Sequence, residues 1–152
     1  MLFRITSLLI LILITGCSVD QYLTGNFNQN EFDKACNWQT KIKSPVNADM
    51  LWIDSLRTIK DTFGLTVFLG TWCSDSKKLV PKMFGLLPFI PVKLERIYAL
   101  DTTKNDSAKF AQANSISRIP VFIFKRNGVE MARISEKPEK RLSRQLYYLL
   151  KY

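Results

Sequence analysis

Between Leu65 and Leu87 the chain passes from an apolar run, Leu65-Thr66-Val67-Phe68-Leu69-Gly70, through Trp72-Cys73-Ser74-Asp75-Ser76, into a helical pattern broken by Pro81. A strand-length run feeding straight into a helix calls for a second strand reached by crossover, so this stretch points to an α/β architecture. It also places Cys73 at the mouth of a helix, where backbone N–H groups and the helix dipole favour thiolate over thiol. Ser76 stands where a second thiol would complete a two-cysteine redox site. The chemistry at this position is that of a single sulfur.

The flanking pattern extends the same reading. Asn47 or Asp49 can cap a helix through Met50, Ile53, Leu56, Ile59 and Phe63, closed by Gly64. After the cysteine helix, Arg96 to Leu100 reads as a second strand ending at Asp101, and Asp106 to Ala113 as a short helix. Val121 to Lys125 and Val129 to Ile134 flank Arg126-Asn127-Gly128, a hairpin signal. Leu142, Leu146 and Leu149 then share one face of a closing helix over Glu139 to Tyr152. Two crossovers imply parallel strands, and the hairpin adds an antiparallel pair.

The first sixteen residues stand apart. Met1-Leu2-Phe3-Arg4 is a short positive segment and Ile5 to Ile14 an apolar one, too short for a membrane span of roughly 20 residues. The run ends in Ile14-Thr15-Gly16-Cys17, which resembles a bacterial lipobox. That resemblance implies cleavage before Cys17 and acylation (palmitate and related chains) of its sulfur and new amino terminus; the alternative is an uncleaved N-terminal anchor with an incidental Cys17. Two or more acyl chains give lasting attachment. Ser18 to Val46 is polar and poorly periodic, and reads mostly as a tether with a span of roughly 30 Å. Phe32, Cys36 and Trp38 suggest that its last part packs on the domain. The expected organisation is a signal peptide over 1–16, a lipidated terminus and tether over 17–46, and one domain over 47–152.

Charge excludes less than the missing histidines do. Lys and Arg number 22 against 13 acidic residues, a formal charge of +9, but the basic residues do not interleave with aromatics as nucleic-acid binders do. The excess suits solubility and attraction to anionic headgroups. With no histidine in the chain, His-based metal sites, Cys–His pairs and Ser–His triads are all excluded. Neither a metal nor a cofactor is implied.

Four features, in order, resemble a thioredoxin: Phe68-Leu69-Gly70-Thr71-Trp72-Cys73, then Pro81, then Ile119-Pro120, then Phe124-Lys125-Arg126-Asn127-Gly128. Gly70 to Lys77 is similar to the Trp-Cys-x-Asp-Ser variant (a CxxS motif) of thioredoxin-like bacterial lipoproteins. The resemblance implies a thioredoxin-like fold, a central mixed β-sheet flanked by helices, over about Asp49 to Tyr152. It implies Cys73 as nucleophile with Ser76 beside it, a cis Pro120, and a groove in which Trp72, Ile119 and Pro120 meet an extended substrate. Val67 occupies the position of the buried thioredoxin aspartate, whose role lapses when the second thiol is absent. Arg118 brings a positive charge to the groove.

Two functions follow. In the first, a membrane-tethered monothiol exchanges disulfides with exported cysteine-containing proteins and is released by an external thiol reductant. In the second, a redox-inactive thioredoxin-fold module binds extended peptide or a partner protein. Ser76 cannot resolve a mixed disulfide, because an alkoxide is inaccessible at neutral pH, though its hydroxyl can hydrogen-bond to the Cys73 thiolate. Asp75 suits the helix start but repels a neighbouring thiolate, with Lys77 and Lys78 offsetting it. Cys36 is open to two roles, packed thiol or partner for Cys73. A copper-delivery role lacks the second cysteine and histidine, and Thr71 is wrongly spaced for a peroxidase; glutathione remains a candidate ligand, with Lys77 and Arg118 facing its carboxylates. Lipid on Cys17 implies the bacterial cell envelope, and Ser18 leans towards the outer membrane.

Overall fold

The computed structural model describes residues 22–38, 42, 44, 45, 47–105, 109–135 and 141–152. The expected signal peptide over 1–16 and Cys17 lie outside them, as do the first residues expected of the last two helices. No helix among the described residues is long and apolar enough to cross a membrane.

Five strands, β1 (Gly25–Phe27), β2 (Phe63–Leu69), β3 (Val92–Ala99), β4 (Val121–Arg126) and β5 (Val129–Ile134), form one sheet in the order β1-β3-β2-β4-β5. β2 and β3 run parallel, joined by the crossover helix α3 (Ser74–Leu86). β4 is antiparallel to β2 and β5 to β4. The β4–β5 turn is made by Asn127 (φ 51°) and Gly128 (φ 80°), the positive φ pair that a two-residue hairpin needs and that asparagine and glycine tolerate best.

β2 is buried on both faces, and its alternate residues feed two cores. Leu65, Val67 and Leu69 face Phe32, Ile53, Leu56, Val80, Met83, Phe84, Leu142, Leu146 and Leu150. Those residues come from α1 (Gln29–Ala35), α2 (Asn47–Arg57), α3 and α5 (Leu142–Leu150). On the other face Phe68, Val121 and Ile123 pack with Leu100 and with Ala111 of the short helix α4 (Phe110–Ala113). Phe68 stacks on Tyr98 with ring centroids 4.8 Å apart, and Tyr98 meets Phe110 at 4.9 Å. Ser143 Oγ donates to the Asp49 carboxylate and joins α5 to α2.

The chain upstream of residue 47 corrects the expected boundary between tether and domain. Gly25–Phe27 pairs antiparallel with Ala99–Ile97 on the outer edge of β3. The next helix is closed by a capping box: Asn28 Oδ1 accepts from the Glu31 N–H at 3.0 Å, and Glu31 Oε2 accepts from the Asn28 N–H at 2.8 Å. Phe32, fully buried, makes edge-on contacts with Phe27, Trp38 and Phe84. Burial of such a ring contributes about 2–3 kcal/mol. Leu23 to Trp38 is therefore part of the folded unit, because an otherwise open strand edge and an uncovered patch of core are completed by it.

Candidate functional site

The site forms where β2 ends and α3 begins. A tight turn closes from Gly70 to Cys73, whose N–H donates to the Gly70 carbonyl at 3.0 Å. Cys73 is the N-cap of α3 in extended conformation (φ −77°, ψ 126°), and its carbonyl accepts the first helical bond from the Lys77 N–H at 3.0 Å. Its side chain supplies no cap hydrogen bond. The sulfur is half-buried and lies 3.8 Å from the Ile119 carbonyl oxygen. The Ile119–Pro120 peptide is cis, as the resemblance implied.

Trp72, Cys73, Ser76, Ile119 and Pro120 are thus brought together. The Trp72 indole N–H donates to the Leu100 carbonyl at 3.0 Å, which holds the ring over Gly70. A Cβ at Gly70 would come within 2.8 Å of both the indole and Ile119 Cδ1. Glycine is required there because two side chains cross its backbone.

Ser76 takes part differently from the reading in which its hydroxyl serves the sulfur. It is completely buried, and its Oγ accepts from the Gly70 N–H at 3.3 Å. The hydroxyl pins the turn to the first turn of α3. Val67 is completely buried among apolar neighbours. Cys36 caps the C-terminus of α1, packs against the larger core, and is not disulfide-bonded to Cys73.

Three supports of the site escaped sequence reasoning. Thr71 Oγ1 accepts from the Leu23 N–H at 3.0 Å, so the N-terminal segment is tied to the loop before Cys73. Asp101 Oδ1 accepts from the Thr103 N–H (2.8 Å), the Thr103 hydroxyl (2.6 Å) and the Asn105 N–H (3.0 Å). The Thr103 hydroxyl, then the Asn105 backbone N–H, hold that carboxyl below its ordinary value. Lys104 Nζ donates to the Ser117 carbonyl at 2.9 Å, linking this loop to the segment before Ile119. Asp101 followed by two threonines is a local turn signal; the Leu23 and Lys104 ties join segments distant in sequence and leave none.

A parallel βαβ unit, an antiparallel hairpin, and a helix-mouth cysteine facing a cis-proline loop define a thioredoxin-like α/β fold. Among solved structures, the chain is similar to a Pseudomonas aeruginosa protein of unknown function, at 15% identity and a TM-score of 0.50 over 76% of this chain and 69% of that one. It is also similar to Fasciola hepatica thioredoxin, at 24% identity and a TM-score of 0.40 over 54% of this chain and 75% of that one. Arabidopsis thaliana thioredoxin O2 matches at 16% identity and a TM-score of 0.43, over 68% and 86% of the two chains. No family model and no curated protein matches the chain.

Proposed function

We propose that this protein is a lipid-anchored, thioredoxin-like monothiol of the bacterial cell envelope, facing an extracytoplasmic compartment and held in the outer membrane through Cys17. Cys73 exchanges disulfides with exported cysteine-containing proteins. The observation that carries the reading is the half-exposed Cys73 sulfur at the start of α3, 3.8 Å from the Ile119 carbonyl. A thiol placed there has helix N–H groups on one side and the cis-proline loop on the other.

The reaction has two halves. The Cys73 thiolate attacks one sulfur of a substrate disulfide, forming a Cys73–substrate disulfide and releasing the second substrate sulfur as thiolate. Ser76 cannot complete the cycle, and its hydroxyl is engaged with Gly70. An external thiolate then attacks the substrate sulfur of the mixed disulfide. It leaves with the substrate in a new disulfide and restores the Cys73 thiolate. Trp72, Ile119 and Pro120 line the approach.

The test is alkylation of Cys73 in the Cys36→Ala protein at neutral pH, folded and in denaturant. The expected result is modification of the folded protein at least as fast as of the unfolded chain, together with a mass shift for a one-to-one mixed disulfide when a model disulfide is added. A sulfur that reacts only after unfolding would sink the exchange reading and leave the redox-inactive peptide-binding module in its place.

A further inference from the structure

The N-terminal segment enters the fold at the end of the sheet that carries Cys73. β1 starts opposite Ala99, at the same end of β3 where β2 gives way to Gly70. Leu23 packs against the larger core, and its N–H donates to Thr71, two residues before Cys73. Five residues separate Leu23 from Cys17. Fully extended, that connection reaches about 20 Å. A folded unit of this size is about 35 Å across. The leash is shorter than the domain.

From these lengths we propose that the end of the domain bearing Cys73 is turned to the bilayer, and that its partners are cysteines held close to the membrane surface. The inference rests on acylation of Cys17, as in the functional reading above. With the site turned outward, the leash would have to run the whole length of the domain, which it cannot. With the site turned to the membrane, Cys73 lies within about 35 Å of the anchored residue, summing the leash and the short path from Leu23 through Thr71. Disulfides on lipid-anchored proteins or on segments next to a membrane span fall in that layer, whereas those on large soluble proteins are screened from it. Charge agrees with this orientation: Lys77, Lys78 and Arg118 are exposed around the site, with Asp75 half-buried among them. The three cations suit an anionic headgroup layer.

The test places one fluorophore at a time on the acylated full-length protein in a Cys36→Ala, Cys73→Ala background. One position is Thr102→Cys, exposed at the site-bearing end; the other is Val129→Cys, 64% exposed beside the hairpin turn at the opposite end. Vesicles of phosphatidylethanolamine and phosphatidylglycerol carry an energy-transfer acceptor in their headgroups. The expected result is a probe-to-headgroup distance about 20 Å shorter at residue 102 than at 129, the length of a seven-residue strand. Inserting twelve Gly/Ser residues after Ser18 lengthens the leash by about 20 Å and is expected to shrink that difference. Equal distances, or a closer residue 129, in protein that sediments with the vesicles overturn the orientation while anchoring stands. If the protein fails to sediment, or the Cys17→Ala protein sediments as well, anchoring itself fails and the orientation falls with it.

Discussion

α1 and α3 begin with nearly the same backbone and opposite chemistry. Asn28 (φ −82°, ψ 174°) and Cys73 (φ −77°, ψ 126°) are both extended N-cap residues. Asn28 closes its helix with reciprocal side-chain bonds to Glu31, whereas Cys73 contributes none. At the third helical position, where α1 has Glu31 reaching back to its own cap, α3 has Ser76 reaching past the cap to Gly70. One helix start is finished by its own residues. The other is held rigid from behind and leaves the position in front of its N–H groups to a sulfur. Two extended N-cap residues thus differ in what their side chains do: one closes its helix, and the other leaves its sulfur without a cap bond.

The sharpest way to break the comparison is to give α3 the kind of cap that α1 has. Cys73→Ser is expected to abolish disulfide exchange entirely, while its hydroxyl caps the helix and raises stability by about 0.5–1 kcal/mol. Opposite changes in turnover and in urea midpoint are the expected signature. Exchange that survives the substitution would move the chemistry to another sulfur, with Cys36 the alternative.

Phe32→Ala tests whether α1 belongs to the domain. The ring is fully buried against Phe27, Trp38 and Phe84. Its removal is expected to cost about 3–5 kcal/mol of global stability by chemical denaturation. A loss below about 1 kcal/mol, the scale of ordinary surface changes, would return this segment to the role of a tether. Asn28→Ala removes only the cap and is expected to cost about 1 kcal/mol. The alkylation rate of Cys73 should not change, since the cap bonds of Asn28 run to Glu31 of its own helix.

How much of this could be read from the sequence depended on how local the cause was. The strand–cysteine–helix passage and the Asn127-Gly128 turn are encoded in adjacent residues, and the sheet has them, whereas only the first of the two expected parallel crossovers is present, since β4 runs antiparallel to β2. β1 was not legible. Of Gly25-Asn26-Phe27 only Phe27 favours a strand, and the three are extended because β3 offers them an edge. The capping box of Asn28 and Glu31 was present in the sequence, hidden in an asparagine-rich stretch that reads as loop. At the site, Trp72, Ser76, Ile119 and Pro120 lie around Cys73, but the Ser76 hydroxyl turns to the Gly70 N–H and not to the sulfur. A side chain that can turn either to a sulfur or to a backbone N–H is decided by a fraction of a turn of helix, and spacing does not resolve that.

The smallest effect concerns the loop that follows the Trp72 anchor. Leu100 accepts the indole N–H, and the next residue, Asp101, gathers Thr103 and Asn105 through its carboxylate. Its folded-state value is depressed, chiefly by the Thr103 hydroxyl and then by the Asn105 N–H. A depressed carboxyl stabilises the fold above its unfolded value, near pH 4, and that contribution disappears as pH falls through the lower folded value. Amide exchange at Thr103 and Asn105 is therefore expected to lose protection below about pH 4, with β3 unaffected. Asp101→Asn keeps an acceptor oxygen but cannot titrate, so its loop should show weaker protection at neutral pH and no acid limb. An acid limb that persists in Asp101→Asn would assign the pH dependence to another group.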